Sequence, residues 1–165
     1  MLLVNSKWML VAFAVIAVLL ILYLVGKKSV TTEISINASK ERVWQLLANV
    51  DYINEWNKVL IPAKGNLQEG NTILYEFFQQ EGGAPAEMEA KVVSMISMEL
   101  INQKGGMTGI LTFDHKYLIS EENGITNVKI HEVYRGIMVP FWNPAPVEKA
   151  YKRLLQQLKT RAENG

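Results

Sequence analysis

Two histidines, His115 and His131, and no cysteine are the starting inventory for chemistry in this chain of 165 residues. The lack of thiols removes disulfides, thiolate nucleophiles and thiolate metal sites together. A transition-metal site needs several histidine, cysteine or carboxylate ligands converging on one point. The two histidines fall on opposite faces of the strand pair described next, so no metal is expected. No glycine-rich loop follows a strand to open a helix, which leaves nucleotide binding unsupported, and no Gly-x-Ser-x-Gly elbow is present. No cofactor is expected. What remains is chemistry between a histidine and a carboxylate, and the spacing around Asn123-Gly124 says which carboxylate.

Asn-Gly between two alternating runs is the strongest short-range signal for a two-residue hairpin. A turn centred there pairs Glu122 with Ile125 and carries the register outward. Ile119 then faces Val128, Tyr117 faces Ile130, His115 faces Glu132 and Phe113 faces Tyr134. Directly opposed residues share a face. This register collects nearly every large apolar residue of the hairpin on one face and leaves Thr112, Asp114, Lys116, Asn127, Lys129, His131 and Arg135 on the other. His115 and Glu132 are therefore expected side by side on the apolar face, where burying either alone is costly. Such a pair can pin the register of the sheet, anchor the polar end of a ligand, or act as an acid–base couple.

The elements that must position this hairpin are legible in outline. Residues 31–37 alternate polar and apolar, as a half-buried strand does. Ser39 stands as an N-cap with Glu41 in the first turn, opening a helix whose Val43, Leu46, Leu47 and Val50 share a face. Asp51 is expected to cap a second short helix running to about Trp56. Strand-like runs follow at residues 72–79, 86–95, 98–104, 108–120 and 125–135. Pro62, Gly65-Asn66, Gly70-Asn71, residues 81–85 and Lys104-Gly105-Gly106 read as breaks. Met88, Met95, Met98, Met107 and Met138 fall in or beside these strands, as core filling or as an adaptable pocket lining. After Trp142-Asn143-Pro144-Ala145-Pro146 the period changes to 3.6, and Val147, Tyr151, Leu154, Leu155, Leu158 and Ala162 make one stripe on a final helix. The expected class is α+β: a curved antiparallel sheet burying its concave face on that helix.

Ahead of this domain, 18 residues from Trp8 to Val25 carry no charge, amide or proline. As a helix they cover about 27 Å, close to the ~30 Å hydrocarbon core of a bilayer. Lys7 stands on one side, Lys27 and Lys28 on the other, with Trp8 and Tyr23 near the two ends. The run is longer than a signal-peptide core and lacks a small-x-small cleavage site. Residues 1–28 are expected to form an uncleaved single-pass anchor, with the lipid bilayer as its partner, and residues 29–165 one monomeric domain. Counting basic residues favours a cytoplasmic carboxy-terminal domain. All 16 acidic residues, and all but three of the 17 basic ones, follow residue 28, so the domain is slightly acidic and nothing points to nucleic acid.

Two stretches of the domain carry a family pattern. Ile34-Ser35-Ile36-Asn37-Ala38-Ser39-Lys40-Glu41-Arg42-Val43-Trp44, followed by Tyr52-Ile53-Asn54-Glu55-Trp56-Asn57, resembles the opening of the START-like superfamily, also called SRPBCC or polyketide cyclase/dehydrase-like. Phe113-Asp114-His115-Lys116-Tyr117 and Glu132-Val133-Tyr134-Arg135-Gly136 resemble its last two strands. The resemblance spans about residues 30–163. It implies a helix-grip fold: a seven-stranded antiparallel sheet wrapped around the long last helix, two short helices after the first strand, and a cavity between sheet and helix. Carried over residue by residue, the pocket candidates are Trp56, Phe113, His115, Tyr117, Ile130, Glu132 and Tyr134 from the sheet, with Phe141, Trp142, Tyr151 and Leu154 near the helix. Members of the superfamily bind lipids, sterols or hormones, cyclise polyketides, or assist other proteins, and share no universal catalytic set. The anchor and the apolar lining favour a membrane-tethered module for an apolar or amphipathic small molecule. The alternatives are a cyclase, dehydratase or isomerase using His115 and Glu132, and an assembly factor for membrane partners.

Overall fold

Asn123 and Gly124 both take positive φ, 53° and 78°, the combination a type I′ turn requires. The strands on either side, β6 (Leu111–Glu122) and β7 (Ile125–Arg135), pair in the register read from the sequence, from Glu122 opposite Ile125 to Phe113 opposite Tyr134. A computed structural model describes residues 6–165, so the first five residues of the expected anchor lie outside the described residues. Around the hairpin stand α1 (Ser6–Val25), β1 (Lys27–Ile36), α2 (Lys40–Ala48), α3 (Val50–Trp56), β2 (Leu60–Lys64), β3 (Thr72–Phe77), β4 (Ala86–Ile96) and β5 (Leu100–Met107). A single 3-10 turn (Val139–Phe141) leads into α4 (Ala145–Asn164).

The seven strands form one antiparallel sheet in the order β1-β7-β6-β5-β4-β3-β2, curled into a half-barrel around α4. The expected stripe on α4 is the buried one: Val147, Tyr151, Leu154, Leu155, Leu158 and Ala162 all face the sheet's core. Polar clamps fix the helix at its margins. Arg153 Nη2 donates to Phe78 O at 2.6 Å, and Lys159 Nζ to Ser35 O at 2.7 Å. Ser39 caps α2 through Arg42 N at 3.2 Å. The helix-grip architecture expected from the sequence is the observed one.

Four local readings change. Asn49, not Asp51, caps α3, its side chain accepting from Asp51 N at 2.9 Å while Asp51 sits in the first turn. Pro62 lies inside a strand, β2, which pairs only with β3; an edge strand tolerates the missing N–H. Gly105 and Gly106 lie within β5 rather than in a turn. Gly105 is opposite Phe113, and a Cβ there would stand 2.5 Å from the Phe113 ring. The bend falls instead at residues 108–110, so β6 starts at Leu111. Finally, β1 starts at Lys27, paired with Arg135, so the segment between α1 and the sheet is Gly26 alone.

Candidate functional site

The β6–β7 register places His115 directly opposite Glu132, and β5 and β1 extend that row across the concave face with Gln103 and Val30. Both charged members are sealed in: His115 is 2% and Glu132 1% exposed. The carboxylate is well supplied with donors. Its Oε2 accepts from the Tyr151 hydroxyl of α4 at 2.5 Å and from the Tyr134 hydroxyl of β7. Its Oε1 lies 3.5 Å from His115 Nδ1, without the geometry of a hydrogen bond.

Burial pushes the Glu132 carboxyl upward, but the contact with His115, its charge, and the two tyrosine hydroxyls outweigh burial and hold it below the ordinary glutamate value. Glu132 is therefore an ionised acceptor. The same burial, with the Glu132 charge beside them, drives the Tyr151 and Tyr134 hydroxyls far above the usual phenol range, so both remain donors. Next along the sheet, Gln103 Nε2 donates to Tyr75 OH at 2.6 Å, and burial, partly offset by that bond, pushes the Tyr75 phenol up to about 12.

The imidazole of His115 is boxed by aromatic rings. Tyr117 meets it edge-on at 4.8 Å between centroids, and Tyr151 does so at 5.2 Å. Its Nε2 has no hydrogen-bond partner among the described residues. This packing keeps His115 behind Tyr151 rather than on a ligand-facing wall.

Between sheet and α4, at the end where β7 stops and α4 begins, a groove of about 650 Å³ opens to the outside. Phe77, Met88, Leu111, Phe113, Trp142 and Val147 give it apolar walls, Glu132, Tyr134 and Tyr151 form its polar end, and Gln79, Glu87 and Glu89 also line it. Trp142 packs against Tyr134 with centroids 4.4 Å apart. Lys28 Nζ holds that wall by donating to Trp142 O at 2.5 Å and Pro140 O at 3.2 Å. At the other end of α4, among Leu47, Trp56, Tyr75, Ile101 and Tyr117, the remaining space is only about 10 Å³, packed shut by side chains. A depression of about 780 Å³, lined by Glu33, Lys40, Glu99, Glu121 and Lys129 with Ile34, Leu118, Ile119 and Val128, is wide and open and holds none of the pocket candidates.

Of the candidates named from the sequence, Phe113, Glu132, Tyr134, Trp142 and Tyr151 meet on the groove. Ile130 and Leu154 are fully buried core residues and do not line it. Trp56 belongs to the closed end, where its Nε1 donates to Leu46 O at 3.2 Å, and Tyr117 packs there against His115. Phe141 is 72% exposed on the 3-10 turn and faces away from the groove. Beyond Met88 and Met107, noted above as core filling or pocket lining, sequence reasoning missed Phe77, Leu111 and Val147. Of these only Val147, on the apolar stripe of α4, carried a signal that could have placed it.

Neither the models of known protein families nor the curated proteins give a match to this sequence. Solved structures do match in shape. The chain is similar to CalU16 from Micromonospora echinospora, at 16% identity and a TM-score of 0.60, covering 80% of this chain and 74% of that one. It is similar to major latex-like protein 151 from Panax ginseng at 9% identity and a TM-score of 0.66, covering 83% and 98%. Ara h 8.0201 matches at 10% identity and a TM-score of 0.62, covering 85% and 100%. At these identities the likeness is one of fold: the chain carries a helix-grip domain, the architecture that its START-like motifs imply.

Proposed function

We propose that this chain is a membrane-tethered module that binds an apolar or amphipathic, lipid-like small molecule in the groove between the sheet and α4. The observation that carries the reading is the groove itself: about 650 Å³, apolar-walled and ending on an ionised, tyrosine-held carboxylate. Binding sites for small molecules combine such walls with a few convergent polar groups. Glu132 and its two hydroxyls suit a ligand's hydroxyl or amine, and the walls suit its hydrocarbon body. The tether ends at Gly26 and the binding domain begins with β1 at Lys27, two residues ahead of the boundary expected after residue 28. One helix is long and apolar enough to cross a membrane, over Lys7–Val25, and none of that window is buried against the rest of the chain. Lys27 and Lys28 at its carboxy end favour a cytoplasmic domain.

Native mass spectrometry of the detergent-purified full chain tests the reading. An adduct of defined mass is expected to survive detergent removal in the wild type and to disappear in Leu111→Trp, which fills the groove. Lipid held by the helix alone gives the same adducts in both proteins. Identical spectra would sink the proposal.

A further inference from the structure

Four apolar side chains stay exposed at the end of the sheet where α1 joins β1: Met107, Ile110, Met138 and Phe141. Backbone hydrogen bonds tie them to the foot of α1. Gly136 N donates to Gly26 O at 3.0 Å, Ile137 N to Gly109 O at 3.1 Å, Met138 N to Ile110 O at 3.1 Å, and Phe141 N to Met138 O at 3.2 Å. The contacts are tight: a Cβ on Gly26 would stand 2.1 Å from Gly136 O, and one on Gly136 2.2 Å from Ile110 O. The rim is thus built against the residue that follows Val25, with no linker to let it drift from the end of α1. Met107 belongs both to this rim and to the lining of the groove.

A basic concavity of about 580 Å³ adjoins the rim. Lys27, Lys91, Lys104 and Arg135 line it, and Asp114, bridged by Lys104 at 3.0 Å, is its one acidic lining residue. Apolar side chains beside clustered cations are what the interface of an anionic bilayer selects, the former entering the acyl boundary and the latter meeting phosphates. We propose that this end of the domain is a second membrane contact. The rim of Met107, Ile110, Met138 and Phe141 enters the bilayer that α1 spans, while Lys27, Lys104 and Arg135 meet its anionic headgroups. The groove mouth then opens onto the lipid, and its ligand exchanges laterally with the membrane rather than through water. The inference rests on the reading of α1 as a tether.

The absence of native cysteine makes single-cysteine labelling clean. In the full chain, reconstituted in nanodiscs of phosphatidylcholine and phosphatidylglycerol, an environment-sensitive fluorophore is placed by Ile110→Cys, Phe141→Cys, Leu19→Cys or Glu122→Cys. Nitroxide-labelled lipids then report contact with the bilayer. Docking to a depth of about 5–10 Å quenches the labels at 110 and 141 together with the one at 19. The label at 122, roughly 30 Å away along the strands, stays bright. Labels at 110 and 141 that behave like the one at 122, while the label at 19 is quenched, overturn the docking and leave the tether standing. An unquenched label at 19 overturns both. Quenching at 110 and 141 that is unchanged in pure phosphatidylcholine overturns the headgroup contacts. Whether a ligand occupies the groove is read separately, from the mass spectra of the Leu111→Trp comparison.

Discussion

Replacing Glu132 by glutamine tests the central claim that an ionised carboxylate, held by two tyrosine hydroxyls, organises the interior. The amide oxygen can still accept from Tyr134 and Tyr151, but the anionic acceptor that strengthens both bonds is gone. A hydrogen bond to a charged acceptor is worth about 1.5–3 kcal/mol, against about 1 kcal/mol for a neutral one. Both tyrosine bonds are charge-assisted only in the wild type, so the combined loss is about 3 kcal/mol. For a chain of this size each kcal/mol moves the melting temperature by about 2–4 °C, so Glu132→Gln should melt roughly 6–12 °C lower at pH 7. Thermal unfolding of the full chain in a nonionic detergent, followed by near-ultraviolet circular dichroism, reads this directly. The pH dependence has a definite sign. The folded carboxyl titrates below its unfolded value because His115 and the tyrosines outweigh burial. Its stabilisation is therefore complete above about pH 4.3, the unfolded value, and is lost as pH falls through the folded value. The gap between wild type and variant should be full at pH 7 and shrink as the solution is acidified below that point. A gap that is flat across this range, or a variant that melts with the wild type at pH 7, refutes the reasoning.

Two further outcomes follow from packing. Gly105→Ala puts a Cβ 2.1 Å from Glu89 O and 2.5 Å from Phe113 Cζ, and the backbone oxygen cannot yield as a side chain could. It should destabilise by about 1–3 kcal/mol or more in the same melts. Leu154→Ala removes a fully buried side chain and should cost about 2–5 kcal/mol. By contrast Phe141→Ser, at a 72% exposed position, should change the detergent melting free energy by less than about 0.5 kcal/mol. Equal losses at positions 154 and 141 would contradict the assignment of one to the core and the other to the rim.

Much of the fold could be read locally because local rules decided it. Asn123-Gly124 has one favoured turn, that turn fixes the register, and the register sets His115 opposite Glu132. The stripe on α4 survived for the same reason, since a 3.6 period has one face to bury. The misread places are those where a distant partner overrides the local signal. Gly105 looks like a turn residue until Phe113 lies across it. Pro62 looks like a break until its strand proves to be an edge. Asp51 has the residue type of a cap, but the extended backbone that precedes α3 falls at Asn49, which takes the role instead.

The site shows the same division more sharply. The hairpin register reaches only what β6 and β7 contribute, so Phe113, Glu132 and Tyr134 were within its range. That Tyr151 would donate to Glu132 depends on how deep α4 sits in the sheet, which no spacing within α4 encodes. This depth also decides the function of the row. With Tyr151 between His115 and the groove, the imidazole is a buried neighbour of the carboxylate, and the groove meets Glu132 through two hydroxyls. An acid–base couple needs both groups within reach of one reacting atom. Here the face open to a ligand presents acceptor and phenol donors while the histidine is walled off. That arrangement favours the proposed reading, a site that holds a polar head, over the acid–base alternative.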